Sequence, residues 1–270
     1  MAAVPFDKAD PLANAPMEKA ATARPTLSTR VIRIVRRLLI LYFAWLLLIL
    51  VAQRWLIFPD YATPEPSPGE KYDVSTTVLT RDIGGGEKVV AWYVPFAAAR
   101  QGHPSPLVVY FHGNAEIIDT QDYPIEIYRS MGCSVLLPEF RGYGRSGGQP
   151  SQATLVDDAV YFFDEILKRP EVDKSRIIIH GRSLGGGVAA QLAAQRKPAV
   201  LILGSSFTSL RPYAHRMLAP GFLLRSPFDT GKILPTLDIP ILIQHGTHDD
   251  IVSVEHGRAL KSLAKNCTYI

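Results

Sequence analysis

The stretch from Arg176 to Val188 reads RIIIHGRSLGGGV, and few chain paths satisfy it. An apolar, β-branched run leads in and a helix-forming segment, VAAQLAAQ, leads out, so a strand must turn sharply into a helix. At the turn, Gly181-Arg182-Ser183-Leu184-Gly185 fits the pattern G-x-S-x-G. Side chains two residues either side of the serine would collide with the strand or the helix, which is why glycine stands there. A turn that only packs tightly or cradles a phosphate would share the glycines. The stretch lacks the Lys and Ser/Thr of a phosphate loop and the spacing of a dinucleotide fingerprint. Ser183 is therefore expected to be a nucleophile at a helix N-terminus, where unpaired amides and the helix dipole favour developing negative charge.

The surrounding text repeats the strand-helix alternation. Leu107–Phe111, Val135–Leu137, Ile177–Ile179, Val200–Leu203 and Ile241–Ile243 are short and almost wholly apolar, as strands covered on both faces are. Helical stretches of about 120–131, 154–168, 184–196 and 254–265 lie between or after them. Tyr72–Thr80 and Glu87–Val94 read as two further strands joined by Gly84-Gly85-Gly86. This order predicts an α/β fold with a mostly parallel central sheet flanked by helices. An apolar share of 47% in 270 residues supplies the core such a fold needs.

Three further stretches carry a likeness: Tyr110-FHGNAE-Ile117, Pro138-EFRGYGRSGGQPS and Ile243-QHGTHDDIV. With the serine motif, they make residues 72–270 resemble the α/β-hydrolase superfamily. The chain looks most like single-domain, often membrane-tethered serine hydrolases related to serine aminopeptidases and monoglyceride lipases. The resemblance implies acyl transfer through Ser183, with the oxyanion held by the backbone N–H groups of Leu184 and Asn114, Ala115 being the fallback to Asn114. It implies Asp249 as the acid that orients a histidine, with Asp250 as the adjacent rival. His112 is read as bracing its loop, and Arg141–Gly148 as a tight connection that also walls the site mouth. Two His and two Asp crowd at 245–250, but no further ligand cluster accompanies them, so neither metal nor cofactor is expected. Substrate is expected to be a small acyl ester, thioester or lipid-like molecule, with a peptidase of the same fold as an alternative. An insertion of about 205–238 forms a short lid, whose Tyr213, Met217, Leu218, Phe222 and Leu223 line an acyl pocket or simply cover the sheet.

The same resemblance places the triad histidine after an eighth strand. Here Cys267-Thr-Tyr-Ile270 reads as the start of that strand, and neither His256 nor His215 matches the position. The expectation is a chain that lacks the C-terminal end of the fold, the alternative being a membrane-tethered binding module without a general base.

Ahead of the fold, residues 1–30 read as a flexible basic tail, 31–58 as a transmembrane anchor and 59–71 as a stiff proline-rich linker. Leu38–Ala52 is an unbroken apolar run, extended on both sides to a length that spans a bilayer. A cleaved signal or a soluble amphipathic helix shares the core length, but no small-x-small cleavage site follows. Arg30, Arg33, Arg36 and Arg37 precede the run and only Arg54 follows it closely. The positive-inside bias then puts the N-terminus in the cytoplasm and the hydrolase domain across a membrane. The net charge of +4 comes largely from this end, so nucleic acid is not an expected partner. Cys133 and Cys267 give no disulfide framework and read as small apolar core residues, while their places at strand starts leave a bridge open.

Overall fold

The computed structural model describes residues 27–69, 72–99 and 103–270. Most of the expected tail, residues 1–26, and parts of the expected linker, residues 70–71, lie outside them. Eight strands form one sheet: β1 (Thr77–Gly84), β2 (Glu87–Val94), β3 (Ser105–Phe111), β4 (Ser134–Pro138), β5 (Val172–Arg182), β6 (Val200–Gly204), β7 (Ile241–Gln244) and β8 (Cys267–Tyr269). Their order is β1-β2-β4-β3-β5-β6-β7-β8. β1 and β2 run antiparallel as a hairpin, β2 is antiparallel to β4, and every pair from β4 to β8 is parallel.

Helices α2 (Asp122–Ser130), α3 (Gln152–Ile166), α4 (Leu184–Arg196) and α7 (Val254–Leu263) make the crossovers, and the shorter α5 (Arg211–Arg216) and α6 (Thr230–Ile233) occupy the segment between β6 and β7. Helix α4 is buried from Leu184 to Ala193 except at Gln191, and its glycines and alanines let it lie close on the sheet. Ser151 caps α3 by accepting from the Thr154 amide, and the Thr154 hydroxyl accepts from the Ser151 amide in return.

Because β4 and β5 leave β3 on opposite sides, the strand order reverses at β3 and β5. A crevice opens there beyond the strands' carboxyl ends, where open α/β sheets bind ligands. The register Phe111↔Gly181 sets the loops after β3 and β5 side by side at that crevice.

Alternation along each strand builds two apolar layers. Leu107, Val109 and Phe111 join the core under α3 and α4, while Val108 and Tyr110 pack with Ile118, Ile125 and Val135 on the other face. Coverage of both faces, expected for every parallel strand, is incomplete at β5–β7. Ile178, Ile202 and Leu242 remain half-buried and line a cavity of about 810 Å³. On this face His180 is buried, with Nδ1 hydrogen-bonded to the Tyr128 hydroxyl at 2.7 Å and Nε2 without a partner among the described residues.

Burial pushes the His180 pKa down from 6.5 to about 4, so the folded ring stays neutral while the unfolded chain takes up a proton in that interval. Stability is thus full above the unfolded value and falls as pH drops from 6.5 to about 4, by roughly 3 kcal/mol. Denaturant unfolding across that pH range should show this loss in the natural sequence and a flatter profile in His180→Gln.

The N-terminal helix α1 runs unbroken over Leu27–Ile57, and is long and apolar enough to cross a membrane. Contacts divide the chain at Trp45 and Leu46, so the last turns of α1 belong to the unit that contains the sheet. Within that unit Phe58 is buried in the core beside Phe228, with ring centroids 6.3 Å apart. The segment expected to be an extended spacer instead begins with a 3₁₀ turn, Asp60–Ala62, whose Asp60 is paired to Arg54 at 3.0 Å. Both cysteines are free, Cys133 buried and Cys267 half-buried, which closes the option of a bridge between them.

Candidate active site

Strand β5 ends at Arg182 and α4 begins at Leu184, leaving Ser183 alone to make the turn. Its backbone sits at φ 52° and ψ −116°, a conformation that L-residues rarely adopt and that costs about 1–3 kcal/mol. The turn is held by the Ser183 amide, which donates to the Gly204 carbonyl at 2.8 Å, and by the Ser206 hydroxyl, which donates to the Ser183 carbonyl at 3.1 Å. A Cβ on Gly181 would stand 2.1 Å from the Gly185 carbonyl oxygen, and one on Gly185 would stand 2.3 Å from that of Phe111. The motif's glycines are therefore steric necessities. Leu184 opens the helix, so its N–H has no intrahelical acceptor and lies at the positive end of the dipole.

The loop after β3 is braced from beneath. His112 is buried, with Nε2 bonded to Glu139 Oε1 at 2.8 Å and Nδ1 to the Gly113 carbonyl at 2.8 Å, which is the bracing role expected of it. Glu139 Oε2 also accepts from the Ile118 amide, tying the loops after β3 and β4 together. The Asn114 side chain is occupied at both ends: Nδ2 donates to the Ile57 carbonyl and Oδ1 accepts from the Tyr143 hydroxyl, each at 2.8 Å. Its backbone N–H has no such partner among the described residues, and Ala115 next to it takes a positive φ of 57°. The 141–148 loop does not line the cavity at Ser183, contrary to the expected wall, and reaches the site through Tyr143 alone among its residues. Its Arg141 turns away to Asp158 and its Arg145 to Asp119.

After β7, Asp249 Oδ1 accepts from the amides of Ile251 and Val252 at 3.0 and 2.8 Å. Burial pushes its pKa up, but the Val252 amide, the Ser205 hydroxyl and the Ile251 amide outweigh that and hold the carboxyl below its ordinary value. Asp250 is exposed. Buried His245 donates from Nε2 to the Val252 carbonyl at 2.7 Å and packs against Gly257, so it shapes the acid loop from inside. His256 is half-buried, accepts from Thr208, and stacks on Tyr213 at 6.0 Å. Neither Ser205 nor the Tyr143–Asn114 bond stands out in the sequence, since a serine after a strand and a tyrosine in a turn are ordinary.

Ser183, Leu184 and Asn114 come together on one cavity of about 360 Å³. Ile251 and Val252 of the acid loop line it, as do Leu210, Tyr213, Ala214 and Met217. Tyr213 and Met217 thus sit where the lid was expected to line a pocket, whereas Leu218 and Phe222 are exposed, 74% and 78%. Four residues of α1, namely Ile49, Gln53, Leu56 and Ile57, complete the wall, which sequence reading did not anticipate. None of the seven histidines is among the residues lining this cavity.

An eight-stranded sheet of this order, with a strained serine between β5 and α4, defines an α/β-hydrolase. Residues 102–237 match the family model described as serine aminopeptidase, S33, and the chain belongs to that family. It is 33% identical to the Mycobacterium tuberculosis protein Rv2307c, over 74% of this chain and 71% of the relative. It is 31% identical to the α/β-hydrolase domain-containing protein WAV2 of Arabidopsis thaliana, over 68% of this chain and 67% of the other. In fold it is similar to the Butyrivibrio proteoclasticus protein Est1E, solved with ferulic acid bound. The TM-score is 0.61 at 20% identity, over 71% of this chain and 88% of that one.

Proposed function

We propose that the protein is a serine hydrolase that cleaves acyl esters or thioesters through an acyl-enzyme on Ser183. The observation that carries this reading is the strained Ser183 at the head of α4, facing an apolar cavity together with Leu184 and Asn114. In the first step Ser183 Oγ loses its proton to a base and bonds to the substrate carbonyl carbon. The N–H groups of Leu184 and Asn114 hold the oxyanion while the alcohol or thiol leaves with a proton. Water then attacks the acyl-serine, releasing the acid and restoring the hydroxyl. Asp249 is the acid of the triad, held ionised by its amide donors. The reading requires a histidine base, and none of the seven histidines in the sequence lines this cavity. In this reading α1 anchors the protein, with the arginine-rich side cytoplasmic and the hydrolase domain on the other side.

The histidine-free cavity also favours a second reading, a tethered binding module that retains the pocket without turnover. Hydrolysis of p-nitrophenyl butyrate separates the two. The natural protein should turn it over, and Asp249→Asn should lower kcat/KM by about 10⁴-fold through loss of histidine orientation. Asp250→Asn should stay within a factor of about two. A fall with Asp250→Asn alone would move the acid to that residue, and absence of turnover in every form would support the binding module.

A further inference from the structure

Helix α1 has a second character beyond its length. Over its last turns Leu46, Ile49, Leu50, Gln53 and Ile57 recur on one face, at the spacing by which a helix packs on a protein core. Ile49 and Gln53 are 9% and 6% exposed, while Leu48 and Val51 on the same turns are 56% and 61% exposed. Gln53 is the sole amide in this apolar text, and its polar atoms are both used: Nε2 donates to the Leu50 carbonyl at 3.0 Å and Oε1 accepts from the Arg225 amide at 2.8 Å. Asn114, from the loop expected to hold the oxyanion, donates to the Ile57 carbonyl. The helix end is thus bonded to Asn114, which lines the cavity, and to the amide of Arg225, which follows the cavity-lining Leu224.

The lining is chemically one-sided. Beyond Ser183 its polar side chains are Gln53 and Asn114, already bonded as described, and the Tyr213 ring; no Asp, Glu, Lys or Arg among the described residues lines it. An aminopeptidase substrate brings an N-terminal ammonium, which is costly to bury without a carboxylate. Hydrocarbon meets no such cost, and Ile49 itself belongs to the apolar run Leu38–Ala52.

From these observations we infer that the last turns of α1 form the acyl-chain wall of the Ser183 site, making the apolar helix a specificity element for the hydrocarbon tail of an amphiphilic ester. The assignment rests on the hydrolase reading above for its chemistry, but the binding of the chain is testable without turnover. The specificity-determining residues are Ile49, Leu56 and Ile57, and Gln53 positions them.

The test uses the natural protein in phosphatidylcholine nanodiscs, with decanoate carrying a terminal diazirine as the probe. Irradiation should place crosslinks on the peptide of residues 46–57 and on that of residues 207–217. Leu56→Trp, at a site 53% exposed and so tolerant of a larger ring, should cut the crosslink yield fivefold or more. Leu48→Trp, which faces away from the cavity, should leave the yield unchanged. In parallel, kcat/KM for p-nitrophenyl octanoate over acetate should rise roughly fourfold for each methylene buried, and Leu56→Trp should lower that ratio at least tenfold. Crosslinks confined to other peptides, or equal yields and ratios in Leu56→Trp and the natural protein, would overturn the assignment even with Ser183 active. Failure of Ser183 to react with a fluorophosphonate would sink the hydrolase reading instead, while the crosslinks would still decide the wall.

Discussion

Gly185→Ala should leave little or no folded protein. The added Cβ would stand 2.3 Å from the Phe111 carbonyl oxygen and 2.5 Å from that of His112, both backbone atoms at the exit of β3. No rotamer change relieves such a contact, so α4 must lift off the sheet. Leu184, Val188 and Leu192 lie on that helix in a close-packed core and would lose contacts together. The expected penalty exceeds about 4 kcal/mol, which for a domain of this size means a melting temperature lower by about 10 °C or more. Gly246→Ala is the matched control, since a Cβ there meets nothing within 4 Å, and its change should stay within about 0.5 kcal/mol. Thermal melts of the two variants beside the natural protein would decide the matter. A Gly185→Ala protein that melts like Gly246→Ala would mean the helix does not press on β3 as described.

Ser183→Gly should separate function from stability. With the nucleophile gone, turnover should fall by about 10⁴-fold or more, leaving only what binding and oxyanion contacts supply. The folded protein should gain at the same time. At φ 52° and ψ −116° glycine is at ease where serine is strained, which relieves about 1–3 kcal/mol. Glycine's greater freedom in the unfolded chain returns about 0.5–1 kcal/mol of that. The net rise, about 1 kcal/mol, should raise the melting temperature by about 2–4 °C. A variant that is both inactive and less stable would mean that the turn does not store strain at this residue.

Much of this is legible in the sequence, and the exceptions have physical causes. Strand β2 and helix α4 fall at the residues where the pattern placed them, because alternation and the glycine-serine turn mark their ends sharply. The strand expected from Tyr72 starts only at Thr77, since Asp73 closes a turn on Ser75 and Thr76 with its own carboxylate. β5 starts at Val172 rather than Ile177, because its leading residues Asp173 to Arg176 are polar and carry no apolar signal. At the site, sequence pattern singled out Ser183 through its steric neighbours. The difference between Asp249 and Asp250 lies in the turn they share, where the amides of Ile251 and Val252 both point at Asp249. The docking face of α1 was hidden for the opposite reason. Over residues 38–57 the helix is apolar on nearly every side and offers little contrast to read, with only Gln53 and Arg54 breaking the run.

The most direct measurement is mass spectrometry after reaction of the full-length natural protein with a fluorophosphonate. The account predicts a single phosphonylated site in the peptide that carries Gly181 to Gly187, at Ser183, absent from Ser183→Gly and blocked by prior incubation with an octanoate ester. An unmodified Ser183 in folded protein, or an adduct on any other serine, would contradict it.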